Sequence, residues 1–579
     1  MRIKHFFGLA VIAAMTASCS SNNDLVVGGG NGSGENESGV SYASFSINLP
    51  TTSGTRAAGD PTFEPGSDYE YKVNDATLLI FKKGEPTKEG ETPKEGDYTF
   101  VESAELGSMA PWQKPNPDET GVTTHAKITA KLEHVDKNGD FFALVLLNNG
   151  TGTNTKVAVP TTEGMKFSDW NAAANAKDIA NYTNGFYMAN APLFNNNNVT
   201  TLVAIDKNKI YPTEEQAAKS AATDIYVERG LAKVTLKTGT AAGKTDDNYT
   251  VTGVTYQGDK VKISNWALDV TNKKTFPIHN VDGLDYKDIW SNTDTPAGSN
   301  GANTQRFVDN KNTKAKRVYW GKDPNYDNTA ADKTALNAEF NNVANKDVTA
   351  EPTTSLYCLE NTFNLANMMQ GQTTRVVFKA TYKPASLPEG ETTFYKIGKN
   401  TAIWREADLK KEIEAAVASV VSGAAGKITV DLKAKGNNIT AAGTHYITKD
   451  NITVTGVETI SDENIKAINT QLGLKETDKV GISTYAGGES YYIARIKHFG
   501  DDLTKWESGL YGEKNLEYLG RYGVLRNNWY ELTVQSVSGP GYPSVPDVKP
   551  NTPDDEDDKY INVSVKILDW AKRSQKVDL

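Results

Sequence analysis

The chain has 579 residues, a formal net charge of −10, 38 % hydrophobic and 9 % aromatic residues, and two cysteines. The length predicts two to four domains. The acidic balance, with no Lys/Arg cluster interleaved with aromatics, excludes a nucleic-acid surface, and two cysteines exclude a disulfide framework.

With 26 tyrosines, 48 glycines and many Thr and Asn, the chain reads as mostly β. It opens on MRIKHFFGLAVIAAMTASCSSNND, where Arg2 and Lys4 precede an apolar run from Phe6 to Met15 and small residues follow as far as Cys19. That pattern is a signal peptide, too short and wrongly flanked for a spanning helix. TASC resembles a bacterial lipoprotein box, in which Cys19 is acylated and becomes the mature N-terminus; the alternative is ordinary cleavage at the small residues. The tether SSNNDLVVGGGNGSGENESG follows, with no apolar period.

In ASFSINLP, Ala43, Phe45, Ile47 and Leu49 alternate with polar residues, the period of a strand buried on one face. Directly behind it stands TTSGTRAAGD, with Arg56 before Ala57, a polar Gly-containing loop of the kind that proteases cut. Further strands are expected in DATLLIFKKG (75–84), THAKITAKLE (124–133), DFFALVLLNNG (140–150) and IYVERGLAKVTLKTG (225–239), with short helical patterns such as FSDWNAAANAKDIANY between them. This is an antiparallel sandwich pattern with inserted helices. A second region, about 240 to 538, carries YTVTGVTYQG, VKISNWALDVTN, TTRVVFKATYKP, TTFYKIG, KITVDLKAKG, ESYYIARIKHFG and NNWYELTVQSVSG as strands. Two helical patterns interrupt it. The one in READLKKEIEAAVASVVSG sets Leu409, Ile413, Ala416, Val417, Val420 and Val421 on one stripe, for packing on a sheet. No repeat of fixed period occurs.

Residues that would carry catalysis or bind a metal are not assembled in any recognisable motif. The six histidines, at 5, 125, 134, 279, 445 and 498, include no two within five residues, so no zinc pattern and no metal site is assigned. GISTY (481–485) begins like a nucleophile elbow but has Tyr485 where a glycine is required. No phosphate-cradling loop is present, and no cofactor is implied. Cys358, in SLYCLENT, is read as a buried core residue.

The C-terminus is a strand behind a linker. GPGYPSVPDVKPNTPDDEDDKY (539–560) has no apolar period and is expected to be extended and solvated. Its 22 residues reach ~70 Å when fully extended, well beyond the ~18 Å radius of gyration of a domain. Beyond it Ile561, Val563, Val565 and Ile567 alternate, and Leu568 and Trp570 take the opposite parity, which predicts a strand with a bulge or jog. Left in water such a strand is an aggregation hazard, so it must pair with something. If ASFSINLP completes a sheet, a cut after Arg56 lets it leave. Another chain's terminal strand can then fill the groove by strand addition. Donor and acceptor surfaces differ, so the contact is heterologous and, repeated, makes a filament.

Taken together, TASC, GTRAAGD, YVERGLAKVTLK, RVVFKATYKP, YGVLRNNWYELTVQSVSGPG and VSVKILDWAKRSQKVDL resemble, in that order and from end to end, the FimA/Mfa-like fimbrillin family. These proteins build the type V pili of Bacteroidales, and the resemblance is strongest to the shaft subunits of the minor fimbrium. It implies two tandem transthyretin-like antiparallel β-sandwich domains with inserted short helices, plus a C-terminal donor strand. The expected divisions are 1–19 signal peptide and lipobox, 20–56 tether and removable strand, 57–240 and 241–538 sandwich domains, 539–560 linker and 561–579 donor strand. It also implies export through the periplasm as an outer-membrane lipoprotein precursor anchored at Cys19, and cleavage between Arg56 and Ala57 by an Arg-specific protease. The expected displaced strand is Ala43, Phe45, Ile47 and Leu49, and the expected donor is Ile561, Val563, Val565, Ile567, Leu568 and Trp570. Partners would be neighbouring copies of the chain and accessory tip and anchor subunits, on a cell-surface fimbrium. Arg229, Arg526, Asn527 and Tyr530 match family positions and are read as structural. The alternatives are a monomeric outer-membrane lipoprotein that binds polysaccharide through exposed Trp/Tyr platforms, and a secreted hydrolase, which would need a convergent acid pair.

Overall fold

The computed structural model describes residues 40–50, 68–85, 92–106, 122–173, 177–195, 198–237, 244–245, 248–282, 284, 318–328, 332–457, 459–498, 519–554 and 561–568. Cys19, Arg56, Ala57 and Trp570 lie outside them. The chain is mostly β, in several sheets with a few helices, as expected.

The first sheet comprises β1 (Ser41–Pro50), β2 (Ala76–Lys82), β3 (Thr99–Glu105), β4 (Val122–Leu132), β5 (Phe141–Leu147), β6 (Met188–Asn190), the short β7 (Val203–Ala204) and β8 (Thr223–Arg229). Its order is β3-β2-β5-β6-β8-β1-β4, with β7 paired to β5. The two edges are joined by side-chain contact: the Glu102 carboxylate on β3 accepts from the Glu133 and His134 amides just past β4. The near-continuous apolar runs of β2 and β5 are buried together with Phe45, Ile47, Ile225 and Val227 in a single core. Three short helices, α1 (Asp68–Tyr71), α2 (Phe167–Ala173) and α3 (Glu214–Ala218), are inserted between strands.

IYVERGLAKVTLK reads as one strand but forms two. β8 ends at Arg229, and β9 (Leu231–Leu236) enters a different sheet. Gly230 makes the corner: a Cβ there would sit 2.8 Å from Ile179 Cγ2 and 3.1 Å from Tyr187 Cδ1, a close approach that glycine alone permits. The chain therefore passes between sheets at Gly230.

Beyond β9 run β10 (Lys244–Thr245), β11 (Asn248–Thr250), β12 (Lys260–Asp269), β13 (Leu356–Leu359), β14 (Arg375–Lys383), β15 (Phe394–Ile397), β16 (Gly443–His445), β17 (Ile482–Tyr485), β18 (Glu489–Arg495), β19 (Trp529–Val537) and β20 (Ile561–Leu568). The second sheet is β13-β9-β19-β20 and the third β10-β11-β12-β14-β18. Between them lies a core of Val234, Trp266, Phe378, Tyr382, Tyr492, Tyr530 and Leu532, with Cys358 among them. The strand expected over YTVTGVTYQG shortens to β11, because the chain turns through Val254–Tyr256 in a 3-10 helix. A third core belongs to the sheet β15-β17-β16 and the helices α5 (Glu406–Val420) and α6 (Asp462–Gln471); a shorter helix, α4 (Lys333–Glu339), precedes them in the chain. Leu409, Ile413, Ala416 and Val417 face that core, as the stripe predicts, and Val420 is half-buried beside it. GISTY, discounted as a nucleophile elbow, supplies β17.

Candidate strand-exchange site

β1 is an interior strand. It runs antiparallel to β4 along its whole length, from Ser41 opposite Leu132 to Pro50 opposite Val122, and parallel to β8 from Phe45 to Asn48. Its alternation explains its position. Ala43, Phe45 and Ile47 are fully buried and Leu49 is 1 % exposed, all within the first core. On the opposite parity Ser44 is also buried, its hydroxyl 2.6 Å from Thr129 Oγ1, and Asn48 reaches the Ile225 carbonyl. Tyr42 exchanges two backbone hydrogen bonds with Tyr211. β4 has no other partner in the sheet among the described residues. Taking β1 out would strand β4, open the β8 edge and uncover the core in one step.

The five described residues of the expected donor, Ile561, Val563, Val565, Ile567 and Leu568, lie in β20. β20 pairs antiparallel with β19, from Ile561 opposite Val537 to Leu568 opposite Trp529. The register is regular at Ile567 and Leu568, and the far side of the expected jog lies outside the described residues; the ladder shifts between Val534 and Ser536, opposite Val563 and Asn562, so β19 carries an extra residue, Gln535. The structure does not bring β1 and β20 together, since they belong to different sheets.

The linker departs from expectation. Residues 539–554 are seated on the second unit, the part of the chain beyond Gly230 with the second and third sheets, rather than solvated. Tyr542 exchanges two 2.8 Å backbone hydrogen bonds with Tyr491 of β18. The Gly539 and Gly541 carbonyls accept from the hydroxyls of Tyr492 and Tyr485. Arg375 donates to the Pro546 carbonyl at 2.7 Å, and Asp547 sits between Lys333 and Lys479 at 3.1 and 2.8 Å. Asp554 is 1 % exposed, its amide donating to Met368 O and its carboxylate accepting from Thr373 Oγ1 at 3.0 Å. The prolines have no N–H to satisfy, and the carbonyls of this segment find donors on the body, which composition cannot foresee.

Where the two units meet, charges are buried in pairs. Glu70 on α1 is fully buried and takes Lys233 Nζ of β9 at 2.6 Å and the Tyr357 hydroxyl of β13 at 2.5 Å. Lys233 also lies 3.9 Å from the Trp529 ring centroid. Tyr357, Lys233, Trp529 and Leu568 are successive register partners, one row across the second sheet. Arg229 at the end of β8 donates to the Glu70 carbonyl at 2.8 Å and to Asn527 Oδ1 at 3.2 Å, with Asn527 held in the left-handed region at φ 58°. Arg526 donates to Glu360, to Thr275 and to the Phe276 carbonyl, while Glu360 and Glu228 flank His279. The Tyr530 hydroxyl accepts from the Leu525 amide at 2.8 Å. Arg229, Arg526, Asn527 and Tyr530 are thus structural, as read from sequence, and the sequence offered no signal for the Glu70–Lys233 pair. Among the described residues no group of three His, Cys, Asp or Glu could hold a metal ion. Burial pushes the Cys358 thiol up to about 12.

The chain is thus mostly β, with an interior strand in its first sheet and the strand Ile561–Leu568 at the edge of its second. Residues 483–576 match the family model of the major fimbrial subunit protein type IV, fimbrillin, C-terminal. The matched stretch spans β18, β19 and β20, and the match supports a fimbrial subunit role. No curated protein matches the chain. Among solved structures it is similar to a candidate cell adhesion protein from Parabacteroides distasonis ATCC 8503, at 11 % identity and a TM-score of 0.36, covering 93 % of this chain and 99 % of that one. A second such protein from the same organism gives 12 %, 0.30, 91 % and 98 %, and a fimbrial assembly protein, also from it, 11 %, 0.23, 63 % and 94 %. Likenesses at these TM-scores do not define the fold.

Proposed function

We infer that the chain is a shaft subunit of a cell-surface fimbria, a type V pilus, that polymerises by protease-triggered donor-strand exchange and supports adhesion. It is exported as an outer-membrane lipoprotein precursor acylated at Cys19. An Arg-specific protease cuts between Arg56 and Ala57, β1 leaves, and the terminal strand of a neighbouring copy, Ile561 to Trp570, takes its place. Accessory tip and anchor subunits complete the fibre, and no enzymatic step is assigned to the chain. The observation that carries this reading is β1 itself: an interior strand whose apolar residues Ala43, Phe45, Ile47 and Leu49 are buried, preceded in sequence by a Gly/Ser/Asn tether and followed in sequence by the polar stretch that holds Arg56. A single cut leaves it attached to the body by noncovalent contacts alone.

The test is trypsin at low ratio on the full chain, followed by intact mass and gel filtration, with a variant lacking residues 561–579 beside it. An early cut after Arg56 and a ladder of SDS-resistant multimers, absent from the truncated chain, is expected. A truncated chain that still forms fibres refutes the donor assignment.

A monomeric polysaccharide-binding lipoprotein is the second reading, favoured by one feature. Tyr69 and Tyr182 are 51 % and 39 % exposed, and Tyr182 stacks on Phe186 at 5.1 Å with an interplanar angle of 15°, a flat ring of the type that sugars stack on. A cut chain that stays monomeric would favour it.

A further inference from the structure

The terminal strand has a seat at home, and this bears on how assembly is controlled. β20 pairs with β19 over residues 561–568 and forms the edge of its sheet, with a strand partner on one side only among the described residues. The place of β1 is different. It offers a ladder to β4 along ten residues and a second to β8 along four, over a closed apolar core. Ile561, Val563, Val565 and Ile567 repeat the spacing of Ala43, Phe45, Ile47 and Leu49.

We propose that the outer edge of β19 is a second, weaker acceptor for the chain's own terminal strand, which parks that strand in the uncut subunit and yields it only to an opened β1 groove on another copy. The inference rests on the donor-strand reading and adds its regulation. While β1 occupies its groove, the parked strand has nowhere better to go, and parking covers an edge that would otherwise pair with any extended chain. Once a neighbour's β1 departs, the strand exchanges one ladder for two and an edge position for an interior one. Transfer is then downhill and directional, without an external energy source. Parking also suits the seated linker. With Asp554 clasped by Met368 and Thr373, the strand waits next to the body and not at the end of a free tether.

Thr533 and Ser564 are register partners across β19 and β20, and antiparallel partners have Cα separations of about 4.5–5.5 Å, within reach of a disulfide. The experiment uses the full chain with Cys19→Ala, Thr533→Cys and Ser564→Cys; the remaining Cys358 is buried. Mild oxidation of the uncut monomer should give an intramolecular disulfide. After the trypsin cut the oxidised protein should stay monomeric, and dithiothreitol should restore multimers. Failure of the disulfide to form in a chain with wild-type circular dichroism overturns parking, and so does a locked chain that assembles as readily as the reduced one. Hydrogen exchange gives a second reading free of substitutions: β19 amides should be protected in the uncut chain and lose protection when residues 561–579 are deleted. Unchanged β19 protection would also overturn parking. The donor-strand reading fails separately, through multimers formed by the deletion variant.

Discussion

Phe45→Ala separates the roles of β1 before and after processing. Phe45 is fully buried in the first core, and replacing a buried phenylalanine by alanine costs about 3–5 kcal/mol. At about 1.4 kcal/mol per factor of ten, the folded-to-unfolded ratio of the first unit in the uncut chain falls by roughly two to three and a half orders of magnitude. The same change should leave the assembled fibre untouched, because β1 is no longer part of it, and should speed exchange, because a weaker plug leaves sooner. Phe378→Ala is the control: Phe378 is fully buried in the second core, so it should weaken precursor and fibre alike. The assay is the urea midpoint of the uncut chain, set beside the melting temperature of SDS-resistant multimers made from each variant. A Phe45→Ala fibre that melts as much earlier as its precursor would show that β1 stays in place, and the displacement argument would fall.

Three further outcomes are expected. Lys233→Met leaves the buried Glu70 carboxylate without its cation, which costs about 3–5 kcal/mol, whereas Lys233→Met with Glu70→Leu should recover much of that loss, as read from urea unfolding. Burial lifts the Glu95 and Asp323 carboxyls from 4.5 and 3.8 to about 7 in each case. The folded chain therefore holds protons that the unfolded chain has already released, so stability falls as pH rises from about 4.5 to about 7 and levels off above. Glu95→Gln should reduce that slope in urea midpoints taken across the window. Finally, Cys358 is buried with its thiol pushed up to about 12, so iodoacetamide should leave it unmodified in the native chain and label it after unfolding.

What the sequence carried well was local period. The alternation in ASFSINLP placed four side chains in the core, and the stripe from Leu409 to Val417 placed a helix face correctly, because both follow from backbone geometry alone. What it carried poorly was partnership over distance. IYVERGLAKVTLK has an unbroken strand pattern, and only the packing of Ile179 and Tyr187 against Gly230 turns it into two strands of different sheets. The extra residue of the β19–β20 ladder, Gln535, sits opposite Asn562 and Val563, where the sequence of the terminal strand itself shows no break in alternation. The linker departs from its composition for a similar reason. A Pro-rich acidic segment lacks any apolar period, yet Tyr491, Arg375, Lys333, Lys479 and Thr373 hold it from elements far away in the chain.

The seated linker also changes what limits the arm. From Asp554 to Ile561 the chain takes seven steps, at most ~25 Å, in place of the ~70 Å available to a free 22-residue tether. A fibre built from such subunits therefore brings each groove close to its neighbour's Asp554, or else peels the linker from β18 and loses the Tyr542 pairing and the Pro546 and Asp547 contacts. In the first case tension between subunits enters the body at the Asp554 clasp, crosses the second and third sheets, and must pass the junction of the two units to reach the next strand held by β4 and β8. At that junction stand the covalent corner at Gly230 and the buried Arg229–Asn527 and Glu70–Lys233 contacts. Apolar surfaces can slide past one another, but a buried ion pair that slips leaves two desolvated charges, a penalty that rises steeply with displacement. In the proposed fibre, that distinction gives a physical reason for polar groups, rather than a larger apolar interface, at a junction that would have to carry tension without hinging.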